Sequence, residues 1–247
     1  MIDTHAHILK EYYKDIETLI EELKNKNVLK VVNCATSLEN SYEVINLAKL
    51  TNNFLLPAVG IHPEVIQDID KINEIEEIIK NNKIVAIGEI GLDYYWNKEN
   101  KEKQKDLFNK LLDLAEKYNL PILVHTRDSI QDCFDILKKR NLKGIIHCYS
   151  GSYEMAKEFI KLGYKLGIGG VLTFKNSKLY EVIEKIELKD IVLETDSPYL
   201  SPEPFRGKEN NPYNIYYVAK KIAEIKNIDI ERVIGETTAN AYEIFDI

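Results

Sequence analysis

The chain contains five histidines, His5, His7, His62, His125 and His147. Imidazole is the commonest side-chain ligand for zinc-like cations and the ordinary proton carrier near neutral pH. His5 and His7 stand two apart after Ile2-Asp3-Thr4, and in a strand of period two both side chains point the same way. The pair reads as a two-imidazole clamp or as two polar strand-end residues. His125 follows Pro121-Ile122-Leu123-Val124, His147 follows Gly144-Ile145-Ile146, and His62 comes just after Leu55–Val59. A single histidine after an apolar run is more often a hydrogen-bonded structural residue than a ligand, but here every histidine stands at or just beyond such a run. Two acids share that placement. Glu89 closes Ile84-Val85-Ala86-Ile87-Gly88, and Asp196 follows Ile191 to Thr195. A carboxylate at an apolar mouth is costly unless it is paired or binds a metal. Asp93 reads as a turn cap, and Glu194 as an inward, hydrogen-bonded polar residue.

These side chains need elements that bring them together. Eight short apolar runs predict strands at Ile2–Thr4, Val31–Cys34, Leu55–Val59, Ile84–Gly88, Ile122–Val124, Gly144–Ile146, Lys165–Ile168 and Ile191–Leu193. Helical period separates them. Ile16, Leu19, Ile20 and Leu23 recur at i, i+3, i+4 and i+7, and Leu107, Phe108, Leu111, Leu112, Ala115 and Tyr118 form a stripe that stops before Pro121. Uniformly apolar strands alternating with helices imply a parallel sheet covered on both faces. The chain of 247 residues is close to the roughly 250 of one (β/α)8 barrel. The expectation is an α/β fold, a single TIM-like (β/α)8 barrel domain over residues 1–247. An open doubly wound sheet is the competing topology. In a closed parallel barrel the C-terminal ends of all strands open onto one face, so the scattered histidines would meet there.

Composition sets the limits. Hydrophobic residues make up 45% and charged residues 30%, as in a globular protein with a large core. The net charge of -7 argues against packaging or coating nucleic acid, which requires broad phosphate neutralisation, but not against gripping one or two phosphates. Three cysteines, Cys34, Cys133 and Cys148, with no CxxC, indicate neither a disulfide framework nor a zinc ribbon. Strand alternation should turn Cys148 away from the side its neighbour His147 faces. There is no basic-then-apolar N-terminal stretch and no apolar run near the ~20 residues of a membrane span. The expected location is cytoplasmic, with no membrane association; the oligomeric state is not legible.

The assembled segments resemble the TatD-type DNases, within the amidohydrolase-like metal-dependent hydrolases. The similarity runs nearly end to end. It includes Ile2-Asp3-Thr4-His5-Ala6-His7, Gly60-Ile61-His62-Pro63, Gly88-Glu89-Ile90-Gly91-Leu92-Asp93-Tyr94-Tyr95-Trp96, Val124-His125-Thr126-Arg127, His147-Cys148-Tyr149-Ser150-Gly151, Thr173-Phe174-Lys175-Asn176 and Glu194-Thr195-Asp196-Ser197-Pro198. The resemblance implies a TIM-like barrel, divalent metals held by His5, His7, Glu89, His125, His147 and Asp196, and an additional pocket histidine at His62. It implies metal-dependent nuclease action, often 3′→5′ exonuclease action on DNA, and for some members deacylation of aminoacylated tRNA. Ile8-Leu9 stands where the family often has Leu-Asp, and Glu209 where relatives often have a basic residue.

From this follows an expected mechanism. Two divalent cations, chosen among Zn²⁺, Mn²⁺, Mg²⁺ and Ni²⁺, are held by His5, His7 and Asp196 on one side and by His125 and His147 on the other, with Glu89 between them. Two such ions suit phosphodiester hydrolysis. Glu89, Asp196 and His62 are the catalytic candidates, with Asp196 orienting and deprotonating water and His62 donating to a phosphate or leaving oxygen. Arg127, Lys175 and Arg206 are the substrate-binding candidates, and nucleic acid, most simply DNA, is the expected substrate. Tyr94, Tyr95 and Trp96 read equally as base-stacking and as core residues. Gly167-Ile168-Gly169-Gly170 lacks the spacing of a phosphate loop and reads as close packing. Three alternatives remain. One is a C–N-cleaving amidohydrolase, for which the fourth strand would often supply a carbamylated lysine rather than Glu89. The others are a D-aminoacyl-tRNA deacylase on the same centre and a non-catalytic metal-binding barrel.

Overall fold

The structure is a computed structural model that describes residues 1–96 and 98–247. Eight strands, β1 (Ile2–Ala6), β2 (Lys30–Cys34), β3 (Leu55–Val59), β4 (Ala86–Asp93), β5 (Ile122–Arg127), β6 (Gly144–Ile146), β7 (Lys165–Ile168) and β8 (Ile191–Leu193), alternate with helices. These are α1 (Ile16–Asn25), α2 (Leu38–Leu50), α3 (Ile72–Asn81), α4 (Lys101–Tyr118), α5 (Ile130–Leu137), α6 (Tyr153–Lys161) and α7 (Leu179–Lys185), with α8 (Ile215–Lys226) and α9 (Ile230–Phe245) both after β8. Local chemistry explains the starts and stops. Asp15, Ser37 and Ser152 accept hydrogen bonds from backbone N–H groups in the first turns of α1, α2 and α6, satisfying donors that the helix itself cannot. α4 buries Leu107, Phe108, Leu111, Leu112 and Ala115, as its period predicts, and ends on left-handed Asn119 ahead of Pro121.

Neighbouring strands pair in parallel in the order β1 to β8. The ring is completed by bonds between the first and last strands. His7 N–H donates to Ser197 O at 2.7 Å, Asp196 N–H to His5 O at 2.9 Å, and Thr4 Oγ1 to Leu193 O at 3.0 Å. Asp3 is fully buried across this seam and accepts from Thr195 N–H at 3.0 Å and His5 N–H at 3.2 Å. Burial pushes its carboxyl up to about 8 despite those hydrogen bonds. The (β/α)8 expectation is met.

Alternation along the strands divides the core in two. Val32, Leu56, Ala58, Ala86, Leu123, Ile145 and Val192 fill the barrel interior, where Ala241, Ile244 and Phe245 of α9 join them. Val31, Leu55, Ile87, Val124 and Leu166 face outward under the helices. Asn240 of α9 donates to Leu188 O and Ile191 O, both at 2.7 Å, at the start of β8. α9, one helix beyond the eight of the simple count, therefore closes the N-terminal end of the barrel and leaves the other end for chemistry.

One strand departs most from expectation. The fourth was predicted at Ile84–Gly88, but β4 continues to Asp93 beside an extended β5, with Asp93 opposite Arg127. Glu89 thus lies inside the strand, at a register irregularity between Ile87 and Ile90. Gly91 permits the extension: its φ is 146° and a Cβ there would lie 2.0 Å from His125 O, a conformation and an approach open only to glycine. Among the described residues, no helix is long and apolar enough to cross a membrane.

Phe108, on the inner face of α4, is fully buried. Phe108→Ala is expected to lower stability by about 3–5 kcal/mol. In urea unfolding followed by circular dichroism this appears as a lower midpoint; a midpoint equal to the parent's would contradict the packing described.

Candidate metal centre

The C-terminal ends of the strands bring the seven predicted metal-site and catalytic residues onto one rim. β1 delivers His5 and His7, with their Nε2 atoms 3.3 Å apart. At the centre is Glu89, 4% exposed. Its Oε2 lies 3.3 Å from His5 Nε2 and 3.5 Å from His7 Nε2. Its Oε1 lies 2.7 Å from His125 Nδ1, 3.7 Å from His62 Nε2 and 3.8 Å from His147 Nε2. Asp196, just past β8 with a φ of 56°, brings Oδ1 to 3.4 Å from His7 Nε2 and 3.7 Å from His147 Nε2.

Each of four imidazoles has a partner on its other nitrogen, which fixes which atom faces the centre. His7 Nδ1 donates to Cys34 O at 2.9 Å. His125 Nε2 lies 3.0 Å from Asp93 Oδ2, and His147 Nδ1 lies 3.0 Å from Glu194 Oε1. His62 differs. Its Nδ1 accepts from Glu64 N–H at 3.3 Å. In a neutral imidazole Nε2 then carries the proton and presents a donor to the pocket. Asp93 is the residue undervalued from sequence. It caps a turn as expected, accepting from Tyr95 N–H and Trp96 N–H, but its other oxygen orients His125. The available signal was a second carboxylate four residues beyond Glu89 in the same segment. Glu194 is inward and hydrogen-bonded as read, taking Cys148 N–H at 2.6 Å. The glycines near it in space are packing devices, since a Cβ on Gly167 would lie 2.1 Å from Glu194 Oε2. Cys148 does not turn away. β6 ends at Ile146, strand alternation lapses, and a φ of 46° brings Cys148 to the pocket wall beside His147 and Glu194.

Electrostatics follow from burial and proximity. Burial alone would push the Glu89 carboxyl up, but the imidazoles of His5, His62, His125 and His147 outweigh it and hold it well below the usual carboxylate range. Burial drives His62 down to about 3, so it stays neutral. Against the same burial penalty, Asp93 and Glu89 raise His125 to about 9, and Glu194 raises His147 to about 10.

This donor set fits divalent cations: imidazoles and carboxylates, buried, mutually close and held from behind. Ligand atoms fall within 4.8 Å of one another in the sets His5–His7–Asp196, His5–Glu89–His147 and His62–Glu89–His125. The first matches the expected trio. His147, however, groups with His5 and Glu89 rather than with His125, although β6 pairs with β5; the His5 and His147 rings stack at 3.5 Å, against 6.4 Å for His125 and His147. A cavity of about 670 Å³ opens over the cluster, and Arg127 lines it. Lys175 and Arg206 do not; they line a separate pocket between the loops after β7 and β8. Tyr94 is core, whereas Tyr95 and Trp96 are exposed at 51% and 66%.

A TIM-like barrel with such a rim defines a metal-dependent hydrolase. Comparison with known proteins gives the same class. A family model described as TatD related DNase matches residues 2–246. The chain is 40% identical over 256 residues to the Bacillus subtilis protein named "Uncharacterized metal-dependent hydrolase YabD", covering 100% of this chain and 99% of that one. It is 37% identical over 248 residues to the Methanocaldococcus jannaschii metal-dependent hydrolase MJ1582, covering 99% and 96%. The crystal structure of YjjV, a TatD homologue from Escherichia coli K12, matches with a TM-score of 0.92 at 30% identity, covering 100% and 98%. The chain belongs to the TatD-related DNase family.

His125 and His147, raised to about 9 and about 10, are protonated at pH 7, and ligation requires their lone pairs. Metal binding at pH 7 is therefore expected to release protons and to tighten as pH rises. Isothermal titration with Zn²⁺ in two buffers of different ionisation enthalpy should give different heats; identical heats would count against ligation by these residues.

Proposed function

We propose that the chain is a divalent-metal-dependent deoxyribonuclease that removes nucleotides by 3′→5′ phosphodiester hydrolysis with two cations. The observation supporting it most directly is the setting of Glu89. One of its oxygens faces His5 and His7 and the other faces His125 and His147, which is the disposition of a carboxylate shared between two ions. In this reading His5, His7 and Asp196 would hold one ion, and His125 and His147, which both face Glu89 Oε1, would help hold the other. Divalent cations bound there supply Lewis-acid polarisation of the phosphoryl group. The direction of cleavage rests on the family resemblance.

The chain's own groups have distinct tasks. The Asp196 side chain is 15% exposed against 5% for Glu89, so it is the central carboxylate within reach of water. It orients the attacking water and takes its proton as the new P–O bond forms and the P–O3′ bond breaks. His62 donates from Nε2 to a phosphoryl oxygen, as its fixed tautomer allows. Arg127 offers a guanidinium at the mouth, 3.9 Å from the Tyr95 ring and 5.4 Å from the Trp96 ring, close enough for the ring faces to attract its charge. Across the opening, Tyr12 and Tyr199 are joined through their hydroxyls at 2.8 Å. Exposed aromatic faces on both rims suit unstacked bases, with about 1–3 kcal/mol per stacked base.

Glu89→Ala is expected to abolish release of mononucleotides from single-stranded DNA, and a chelator to do the same reversibly, with Mn²⁺ or Mg²⁺ restoring it. Wild-type rates in either case would refute metal catalysis at this centre. The same preparation is to be assayed on D-aminoacyl-tRNA; deacylation without loss of nucleotides from DNA overturns the nuclease reading and assigns the centre to ester hydrolysis. His62→Phe is expected to lower kcat about 10²–10³-fold with metal content unchanged by elemental analysis. Loss of metal in that variant would make His62 a ligand instead of a donor.

A further inference from the structure

The second pocket, about 430 Å³, is bounded by Phe174, Lys175, Asn176 and Ser177 after β7 and by Glu203 and Arg206 after β8. Its two walls are locked together. A Cβ on Gly170 would lie 2.1 Å from Leu200 O, so the 3₁₀ turn Gly170–Thr173 is pressed directly onto the loop after β8. Glu203 N–H donates to Thr173 Oγ1 at 2.8 Å. Ser201 Oγ donates to Lys208 O at 2.6 Å and Lys208 N–H to Phe205 O at 3.0 Å, closing the turn that presents Arg206. The Phe205 ring packs against Tyr217 of α8 with centroids 5.0 Å apart.

The guanidinium of Arg206 lies over the Phe174 ring at 3.9 Å, which holds its plane without using its N–H donors. Among the described residues neither Arg206 nor Lys175 forms an ion pair, whereas Arg140 and Arg232 pair with Asp113 and Glu236. Among the described residues Glu203 is the one carboxylate lining the pocket, against Lys175 and Arg206, so the lining carries a net positive charge on a protein of charge -7. A fixed, unpaired fork beside an ammonium, a hydroxyl and an amide is a set of donors awaiting an anion. In barrels of this kind the loops after the seventh and eighth strands are a frequent seat for phosphate.

The rims of the two pockets are close along the chain. Leu200 lines the catalytic cavity and Glu203 the second pocket. Three Cα steps of about 3.8 Å each place these two rim residues at most about 11 Å apart, so the pockets adjoin and one single strand can run from one to the other.

We propose that this pocket is a second anion subsite that holds a backbone phosphate of a single-stranded substrate on the 5′ side of the scissile bond. The assignment to a substrate strand rests on the nuclease reading; the anion-binding property does not. A dinucleoside monophosphate carries only the scissile phosphate and cannot use the subsite, whereas a tetranucleotide can. The subsite therefore makes the enzyme favour longer strands.

The test uses the full chain and the double variant Lys175→Ala/Arg206→Ala. Binding of a 5′-fluorescein-labelled single-stranded DNA decamer to metal-stripped protein is followed by anisotropy from about 50 to 200 mM salt. The variant is expected to bind about 10-fold more weakly at the low end, with a log–log salt slope shallower by about 0.7, the value for one lost phosphate contact on a single strand. With metal present, the tetranucleotide-to-dinucleotide ratio of kcat/KM is expected to fall about tenfold. Glu203→Gln, which leaves both cations in place, is expected to strengthen binding. An unchanged slope and ratio, or a parent that does not bind the decamer, overturns the proposal. A slope that changes in an enzyme that cleaves no phosphodiester retains the anion subsite and refutes the nuclease reading instead.

Discussion

A carboxylate nearly sealed from water governs this molecule. Glu89 is surrounded by the imidazoles of His5, His7, His62, His125 and His147 and is 4% exposed. An isolated charge in such a place would neutralise by taking up a proton. It does not here, because the surrounding imidazoles favour its ionised form. Those imidazoles come from four different strands or strand ends, so the charge is tolerable only once the ring has closed. The seam between β1 and β8 is correspondingly polar, with Asp3, Thr4, Thr195 and Ser197 bonded across it.

Behind the rim histidines stands a second set of groups that decides which nitrogen faces the pocket. Cys34 O, Asp93 and Glu194 occupy one nitrogen each of His7, His125 and His147 and aim the other inward. Glu64 N–H does the reverse to His62, occupying its lone pair and aiming its proton inward. Histidines of one rim thus present opposite faces to the pocket, a nitrogen open to ligation or an N–H donor, according to the group that stands behind them. The same economy appears at the glycines. Gly91 lets β4 run against His125, and Gly167 makes room for the Glu194 carboxylate, so small residues on adjacent strands set the aim of the large ones.

The two ends of the barrel divide the work. α9 seals the N-terminal end with apolar side chains and caps the start of β8 through Asn240. The opposite end concentrates charge and exposed aromatic rings. On a protein of net charge -7 positive potential is gathered only locally. Arg127 beside Tyr95 and Trp96, and Arg206 beside Phe174, are the places where this chain does so, each guanidinium laid on a ring.

What was legible in the sequence was whatever period and spacing encode locally. Four strands were placed with their final bounds, α4 with its buried stripe and its stop, and the ring of strand-end histidines with Glu89 and Asp196, because side-chain alternation and helical period are properties of a few consecutive residues. Local pattern therefore determined the alternation of strands and helices and singled out the central residues, while the choice of a closed barrel over an open doubly wound sheet rested on chain length and family resemblance until the β1–β8 seam was seen. Tertiary structure decided the rest. The length of β4 depends on how closely β5 can approach Gly91. The second role of Asp93 depends on where His125 lies. The inward turn of Cys148 depends on β6 ending two residues earlier. The grouping of His147 with His5, and the separation of Lys175 and Arg206 from the catalytic cavity, depend on how the ring closes. Each is a relation between segments far apart in the chain, and local pattern holds no information about a partner that only folding brings near.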